Sequence, residues 1–176
     1  MKSAANLRIR PAGPDDAPAL KAILYDTFES TWRPNITPAA AGTFRAEDRP
    51  GVYVGERGLR FRVAEREGQV VGFVDWEDDF INALHVRSAH ARIGVGAALM
   101  DRAEAGIARA GFRAARLETD TFNARSRAFY AARGYRETDL YPDREWDSGL
   151  DIAREGVGLI ARARARVAIR PAIAVY

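Results

Sequence analysis

The chain contains no cysteine among its 176 residues. That removes a disulfide framework, a thiolate metal site and a cysteine nucleophile together. Histidine is almost as scarce, with only His85 and His90, too few to suggest a histidine-based metal site. No run of about 18 apolar residues occurs, so no transmembrane helix is expected. Residues 1–8 lack the apolar core of a signal peptide. These absences point to a cytoplasmic protein without a metal or a membrane partner. Lysine is confined to Lys2 and Lys21, so the net charge of +3 is carried by arginines spread along the chain. Without a concentrated basic face, the charge argues against nucleic acid as a partner.

What is present has the composition of one globular domain, long enough to bury about two-thirds of its unfolded surface. Residues 7–10 alternate and stop at Pro11, as a short first strand would. Pro14-Asp15-Asp16 supplies helix-start chemistry with Asp15 as the expected N-cap. Ala17, Leu20, Ile23, Leu24, Thr27 and Phe28 then make an apolar helical face out to about Ser30. Pro34 and Pro38 break it, a second helix is expected over 38–45, and 48–58 reads as loop. Residues 61–66 and 69–76 form two strands joined by a turn at Glu67-Gly68. Asp78-Asp79 separates these from a strand over 80–86. Next come a glycine-bearing turn over 91–97, a helix from Ala98, a strand over 115–119, and a helix over 124–133 stopping at Gly134-Tyr135. A strand is expected over 135–140 and a polar loop over 141–149. Residues 157–169 read either as a strand, with Arg162, Arg164 and Arg166 on one side, or as a basic tail.

The strand, glycine turn, helix, strand unit from Ala83 to Thr119 sets several backbone N–H groups and the positive end of a helix dipole at one point, a place for an anion. A phosphate-binding P-loop would need Lys and then Ser or Thr after the glycines. Ala97-Ala98 stands there instead, which excludes it. A dinucleotide fingerprint would need a third glycine, but Leu99 occupies that place, behind an antiparallel meander. A turn that merely caps a strand-to-helix junction is the remaining alternative, and a bare Gly-x-Gly does not separate it from an anion site.

The surroundings do more. Val86, followed by ten residues ending in Gly94-Val95-Gly96 and then Ala98-Leu99-Met100, resembles the acetyl-CoA-binding motif of the GNAT superfamily of N-acetyltransferases. That pattern is Gln/Arg-x-x-Gly-x-Gly/Ala at the start of a helix. Asn123-x-x-Ser126-x-x-Phe129-Tyr130-x-x-x-Gly134-Tyr135 is similar to a second signature of the family, at the separation the family shows. Arg8-Ile9-Arg10-Pro11-Ala12-x-x-x-Asp15 resembles its opening. The resemblance covers about residues 7–150. The sequence departs from the pattern at Ala91, where Gln or Arg is usual, at Arg92, where Gly is common, and at Ser88, where Pro is frequent.

The resemblance implies an α/β (α+β) GNAT fold: a mixed, mostly antiparallel central sheet with helices on both faces and a splay between strands 4 and 5. It implies a domain over 1–150, with 151–176 as a C-terminal strand or basic tail. Acetyl-CoA is the implied cosubstrate. Its pyrophosphate would lie on the amides of Arg92, Ile93, Gly94, Val95, Gly96 and Ala97, and its pantetheine would pair with the strand edge Leu84-His85-Val86. Asn123 would contact it or cap the following helix. Tyr130 would protonate the leaving thiolate, and Glu118, beside the splay, is the candidate base. Asp75, Glu77, Asp78 and Asp79 are alternatives for that role, while His85 reads as a satisfied sheet residue. Phe28, Trp32 and Trp76 would wall the acceptor pocket. A second acidic group, Asp139, Asp143, Glu145 and Asp147, with Trp146, would draw a cationic amine if it faced the cleft.

The expected activity is direct transfer of acetyl to a primary amine of a small molecule in a ternary complex. The alternatives are acetylation of a peptide N-terminus or lysine, a non-catalytic acyl-CoA-binding module, and, weakly, a nucleic-acid role for the Arg-rich segment 154–170. The resemblance also allows a homodimer.

Overall fold

The computed structural model describes residues 7–142 and 150–159. Its seven strands form one sheet, in the order β1-β2-β3-β4-β5-β7-β6. They are β1 (Leu7–Pro11), β2 (Arg62–Arg66), β3 (Gln69–Glu77), β4 (Phe80–Val86), β5 (Ala114–Asp120), β6 (Arg136–Pro142) and β7 (Asp151–Gly158). Every neighbouring pair is antiparallel except β4 with β5. The β2–β3 turn falls at Glu67-Gly68, where both residues have positive φ, the backbone a two-residue hairpin requires.

Five α-helices cover the two faces: α1 (Ala17–Thr27), α2 (Pro38–Ala46), α3 (Arg49–Arg57), α4 (Val95–Arg109) and α5 (Ala124–Ala132). On one face, Leu99, Met100, Ala103 and Ile107 of α4 and Tyr130 of α5 join Val74, Ile81 and Leu117 of the sheet. On the other, Leu20, Ile23 and Leu24 of α1 and Val54 of α3 pack on Val63 and Phe73. Arg133 fastens α5 to α4, donating to Asp101 at 2.7 Å and to both oxygens of Glu104 at 3.1 Å, while the Tyr135 hydroxyl also reaches Glu104.

Two local expectations fail for physical reasons. Residues 48–58 are not a loop: α3 forms because Asp48 caps it from a left-handed backbone, accepting from the Gly51 N–H, with a proline in the first turn. Two glycines hide that helix in the sequence, each costing about 1 kcal/mol of propensity, and burial of Pro50 and Val54 overrides them. At the start of α1 the tethering acid is Asp16, not Asp15. Asp16 accepts from the Gly13 N–H at 2.7 Å and pairs with Arg10, which holds its carboxyl below the usual range. A C-terminal strand does form from Asp151: β7 pairs with β5 through Asp120↔Ile152 and with β6 on its other side, and of the segment 157–169 only 157–159 are described. β7 therefore belongs to the same sheet as the strands that precede it. Asp143, Glu145, Trp146, Asp147 and the segment 160–176 lie outside the described residues.

Candidate active site

The sheet is forked. β4 and β5 pair only through Phe80↔Arg116 and Ile81↔Leu117, with the Arg116 N–H donating to Asp79 O at 2.8 Å. Both strands continue, to Val86 and to Asp120, without meeting again. The cause sits at Asn82. On the other side of β4 the register runs Trp76↔Ile81 and then Asp75↔Ala83, so Asn82 is an extra residue, a β-bulge that bends its strand. Asp75 pins the bulge. Fully buried, it accepts from Asn82 Nδ2, from the Tyr53 hydroxyl at 2.7 Å and from Arg57 at 2.6 and 3.1 Å.

Beyond the bulge the backbone of β4 sorts its edges. The Arg87 N–H donates to Val71 O at 2.9 Å, and the His85 carbonyl crowds Gly72, where an added Cβ would lie 2.8 Å away. Residues 85 and 87 thus face β3, and by the alternation of a strand Leu84 and Val86 turn their peptide groups into the gap. Polar backbone groups in such a place require partners. His85 does not belong with them: its backbone is engaged with β3.

At the mouth of the gap, a 3₁₀ turn over Ser88–His90 is tied to α1 by Asp26, which accepts from the Ser88 N–H at 2.7 Å and its hydroxyl at 2.9 Å. Arg92 then adopts φ 65° and Gly94 φ 90°. A side chain at φ > 0 is strained, which explains a preference for glycine at the place Arg92 fills. Among the described residues, the N–H groups of Arg92, Gly94, Val95, Gly96 and Ala97 donate to nothing, while Ile93 closes a turn over Ala91-Arg92; the first helical bond is Ala98 N–H to Gly94 O. No side chain caps α4. Free amides at the positive end of a 15-residue helix are suited to an anion.

Helix α5 brings its motif to the same place. Phe129 lies where a Cβ on Gly96 would touch its ring at 3.6 Å. Asn123 caps α5, its Oδ1 accepting from the Ser126 N–H at 3.1 Å. Tyr130 is buried, with its ring edge-on to Phe129 and Tyr135. Its hydroxyl makes no hydrogen bond among the described residues, and burial, with Glu155 nearby, keeps it protonated well above a free phenol's range.

On the opposite face a cleft of about 930 Å³ runs beneath the segment joining α1 to α3. A wide π turn over Phe28–Trp32 follows α1, a rare geometry that concentrates at functional places. It directs Phe28 and Trp32 into the cleft, where the Trp32 Nε1–H donates to Asp120 at 2.6 Å. Phe28 stacks on Phe44 with centroids 3.8 Å apart. His85, Asn82, Tyr53, Glu118 and Ile152 complete the wall.

Of the expected acceptor residues, then, Phe28 and Trp32 reach the cleft and Trp76 does not. Trp76 lies on the α4 face, so close to Gly106 that a Cβ there would come within 2.6 Å of its ring, and Arg62 stacks over it. The acids are mostly spoken for. Asp75 and Glu77 are held by Arg57, with Arg60 also on Glu77, and Asp79 by Arg116. Asp78 sits in the β3–β4 turn at φ 51°. Glu118 does reach the cleft, ion-paired to Arg154 at 3.2 Å. Asp139 caps its own next residue. Asp120 was missed, although it lies two residues after Glu118 and so on the same strand face; Tyr53 was hidden by the misread helix.

His85 presents its side chain to the cleft. The ring lies between Phe73 and Trp32, with Nδ1 2.8 Å from the Thr27 hydroxyl. Burial pushes its pKa down to about 4, so the imidazole is neutral at physiological pH. Among the described residues no group of three His, Asp or Glu is arranged to hold a metal, and no helix is long and apolar enough to cross a membrane.

Comparison with known proteins places this architecture. Residues 19–135 match the family model described as the acetyltransferase (GNAT) family. No curated protein matches the chain, whereas many solved structures do. A GCN5-related N-acetyltransferase from Rhodopseudomonas palustris superposes with TM-score 0.72 at 21% identity, covering 90% of this chain and 99% of that one. The PaiA N-acetyltransferase of Thermoplasma acidophilum, solved with coenzyme A, gives TM-score 0.67 at 16% identity, covering 85% and 98%. YncA of Salmonella typhimurium, solved with acetyl-CoA, gives 0.63 at 21%, covering 88% and 95%. With both motifs seated on one forked sheet and the family model spanning well over half its length, the chain belongs to the GNAT family of acetyltransferases.

Proposed function

We propose that the protein moves an acetyl group from acetyl-CoA to a primary amine of a small molecule, by direct attack in a ternary complex. The observation that carries this reading is the fork. It ends in unpaired amides suited to a diphosphate on one side and opens on the other into a bounded cleft of about 930 Å³, within the range of small-molecule sites. The roof over residues 28–46 favours a small acceptor over a peptide, which would need an open groove.

In this reading the free amides among residues 92–97 hold the pyrophosphate. The peptide groups of Leu84 and Val86 replace their missing β5 partners with the amides of pantetheine. Acetyl-CoA supplies an activated carbonyl with a thiolate leaving group. Tyr130, protonated and without a hydrogen bond of its own among the described residues, donates its proton to that thiolate. Glu118 and Asp120 on the cleft wall favour a cationic or amine-bearing acceptor, and Trp32 and Phe28 offer it apolar surface.

The test is release of free thiol from acetyl-CoA over a panel of small amines and short peptides, run beside calorimetric titration with CoA. Turnover with small amines supports the reading. Turnover confined to peptides, or CoA binding without transfer to any acceptor, would replace it.

A further inference from the structure

The acceptor amine must shed a proton as it attacks, and the acids first suited to that task are engaged: Asp75 is enclosed by Arg57, Tyr53 and Asn82, and Glu118 is paired with Arg154. One uncharged base faces the cleft. Thr27, buried in the last turn of α1, has its hydroxyl 3.1 Å from the carbonyls of Ile23 and Leu24 and 2.8 Å from His85 Nδ1. A helical threonine ordinarily spends its single hydrogen on the carbonyl a turn back. Its oxygen then accepts, so Nδ1 carries the imidazole proton and Nε2 keeps a lone pair. Among the described residues nothing bonds to Nε2, and it is absent from the enclosed polar atoms that lack a partner, so the cleft is open to it.

Resting on the acetyltransferase reading, we propose that His85 Nε2 is the proton acceptor of the reaction. As the amine nitrogen forms its bond to the acetyl carbon, its N–H proton passes to Nε2. The carbon–sulfur bond breaks, and the thiolate takes the hydroxyl proton of Tyr130. The imidazolium then returns its proton to water in the cleft and Tyr130 is reprotonated from solvent, leaving amide and free thiol. The placement suits this role. His85 follows Leu84, whose peptide faces the gap, and its own side chain lines the cleft on the acceptor side. Trp32 covers the ring face and is itself anchored to Asp120. Phe73 fixes the other face, with centroids 5.2 Å apart. The charged side chains on the same wall are Glu118 and Asp120 of β5 and Arg49 and Arg57 of α3, with Glu118 paired to Arg154 and Asp120 accepting from Trp32.

The experiment compares wild type with His85→Gln and His85→Ala, using an amine the wild type acetylates. The expected result is a fall in kcat of about 100- to 10,000-fold with CoA affinity unchanged and with partial recovery of His85→Ala by added imidazole, which a packing role would not give. Unaltered kcat in a variant that still binds CoA overturns the assignment while leaving the acetyltransferase reading intact; failure of the wild type to acetylate any amine overturns both. Nitrogen-15 NMR of the histidines supplies a readout apart from turnover. A protonated Nδ1 at His85 supports the proposal, and a protonated Nε2, which would make this nitrogen a donor, refutes it.

Discussion

Replacing Tyr130 by Phe removes one oxygen, and the structure separates what that oxygen does for folding from what it does for chemistry. The ring is the larger part of the fold's interest: it is buried against Phe129 and Tyr135 in the core under α4 and α5, and Phe keeps all of it. The hydroxyl donates to no described group, so its loss leaves no orphaned partner, the circumstance that makes a hydrogen-bond deletion costly. The expected change in stability is under about 1 kcal/mol, of either sign. The chemical loss is much larger. A positioned general acid contributes about 100- to 10,000-fold, equivalent to about 3–5 kcal/mol of barrier. The two numbers differ enough to be read independently: thermal melting for the first, thiol release at saturating acetyl-CoA for the second. A variant that melts like wild type and keeps its kcat would remove Tyr130 from the mechanism. A variant that melts several degrees lower would show that the hydroxyl has a structural partner, and the catalytic reading would then need a rescue experiment to survive.

Further changes test the scaffold around the fork. Gly94→Val places a β-branched residue at φ 90°, costing about 1–2 kcal/mol, and should weaken CoA binding in calorimetry more than Gly96→Ala, whose new methyl would meet only ordinary contacts. Arg57→Ala strips Asp75, wholly buried, of its counter-ion and should cost about 3–5 kcal/mol in urea denaturation. Gly106→Val drives a methyl into Trp76, an overpacking cost of about 1–3 kcal/mol, without altering the KM for the amine, because that tryptophan is on the face away from the cleft. His85 also gives a pH signature. Its folded pKa of about 4 lies below the unfolded value near 6.5, so its contribution is complete above about pH 6.5 and is lost as pH falls toward 4, on the order of 3 kcal/mol in all. The melting temperature of His85→Gln should therefore fall less steeply than that of wild type over that interval.

Much of this arrangement could be read from sequence because its signals are local. The glycine turn, the Asn123 to Tyr135 signature and the alternation of β2 and β3 each depend on residues within about a dozen positions of one another, and the fork was inferred from the family they resemble. What stayed hidden depends on partners distant in the chain. The bulge at Asn82 leaves no composition cue; it is held by Tyr53 and Arg57, which lie on a helix that two glycines disguised as loop. Trp76 lies on an alternating strand whose face could not be assigned without knowing where α4 packs, and Gly106, which makes room for its ring, lies 30 residues on. The π turn at Phe28–Trp32 has no periodicity that distinguishes it from a fraying helix end.

His85 shows why a residue's chemistry cannot be read from its strand alone. In sequence it sits inside Leu84-His85-Val86 and is most simply counted with its neighbours as part of the edge that meets the donor. The bulge three residues earlier sets the phase of that edge. With Asn82 inserted, residues 84 and 86 face the gap with their peptides and the α4 core with their side chains, whereas 85 has its peptide on β3 and its imidazole in the acceptor cleft. Were Asn82 paired opposite Asp75 in a regular ladder instead of bulged out, every later residue would slip by one position: Leu84 would stand opposite Phe73 on the cleft face and the histidine would turn toward α4. The same extra residue that separates β4 from β5, and so makes room for a thioester, therefore also decides which side chain stands beside it on the acceptor side. In the proposed mechanism, opening the donor slot and presenting a base to the acceptor would both follow from a single backbone irregularity.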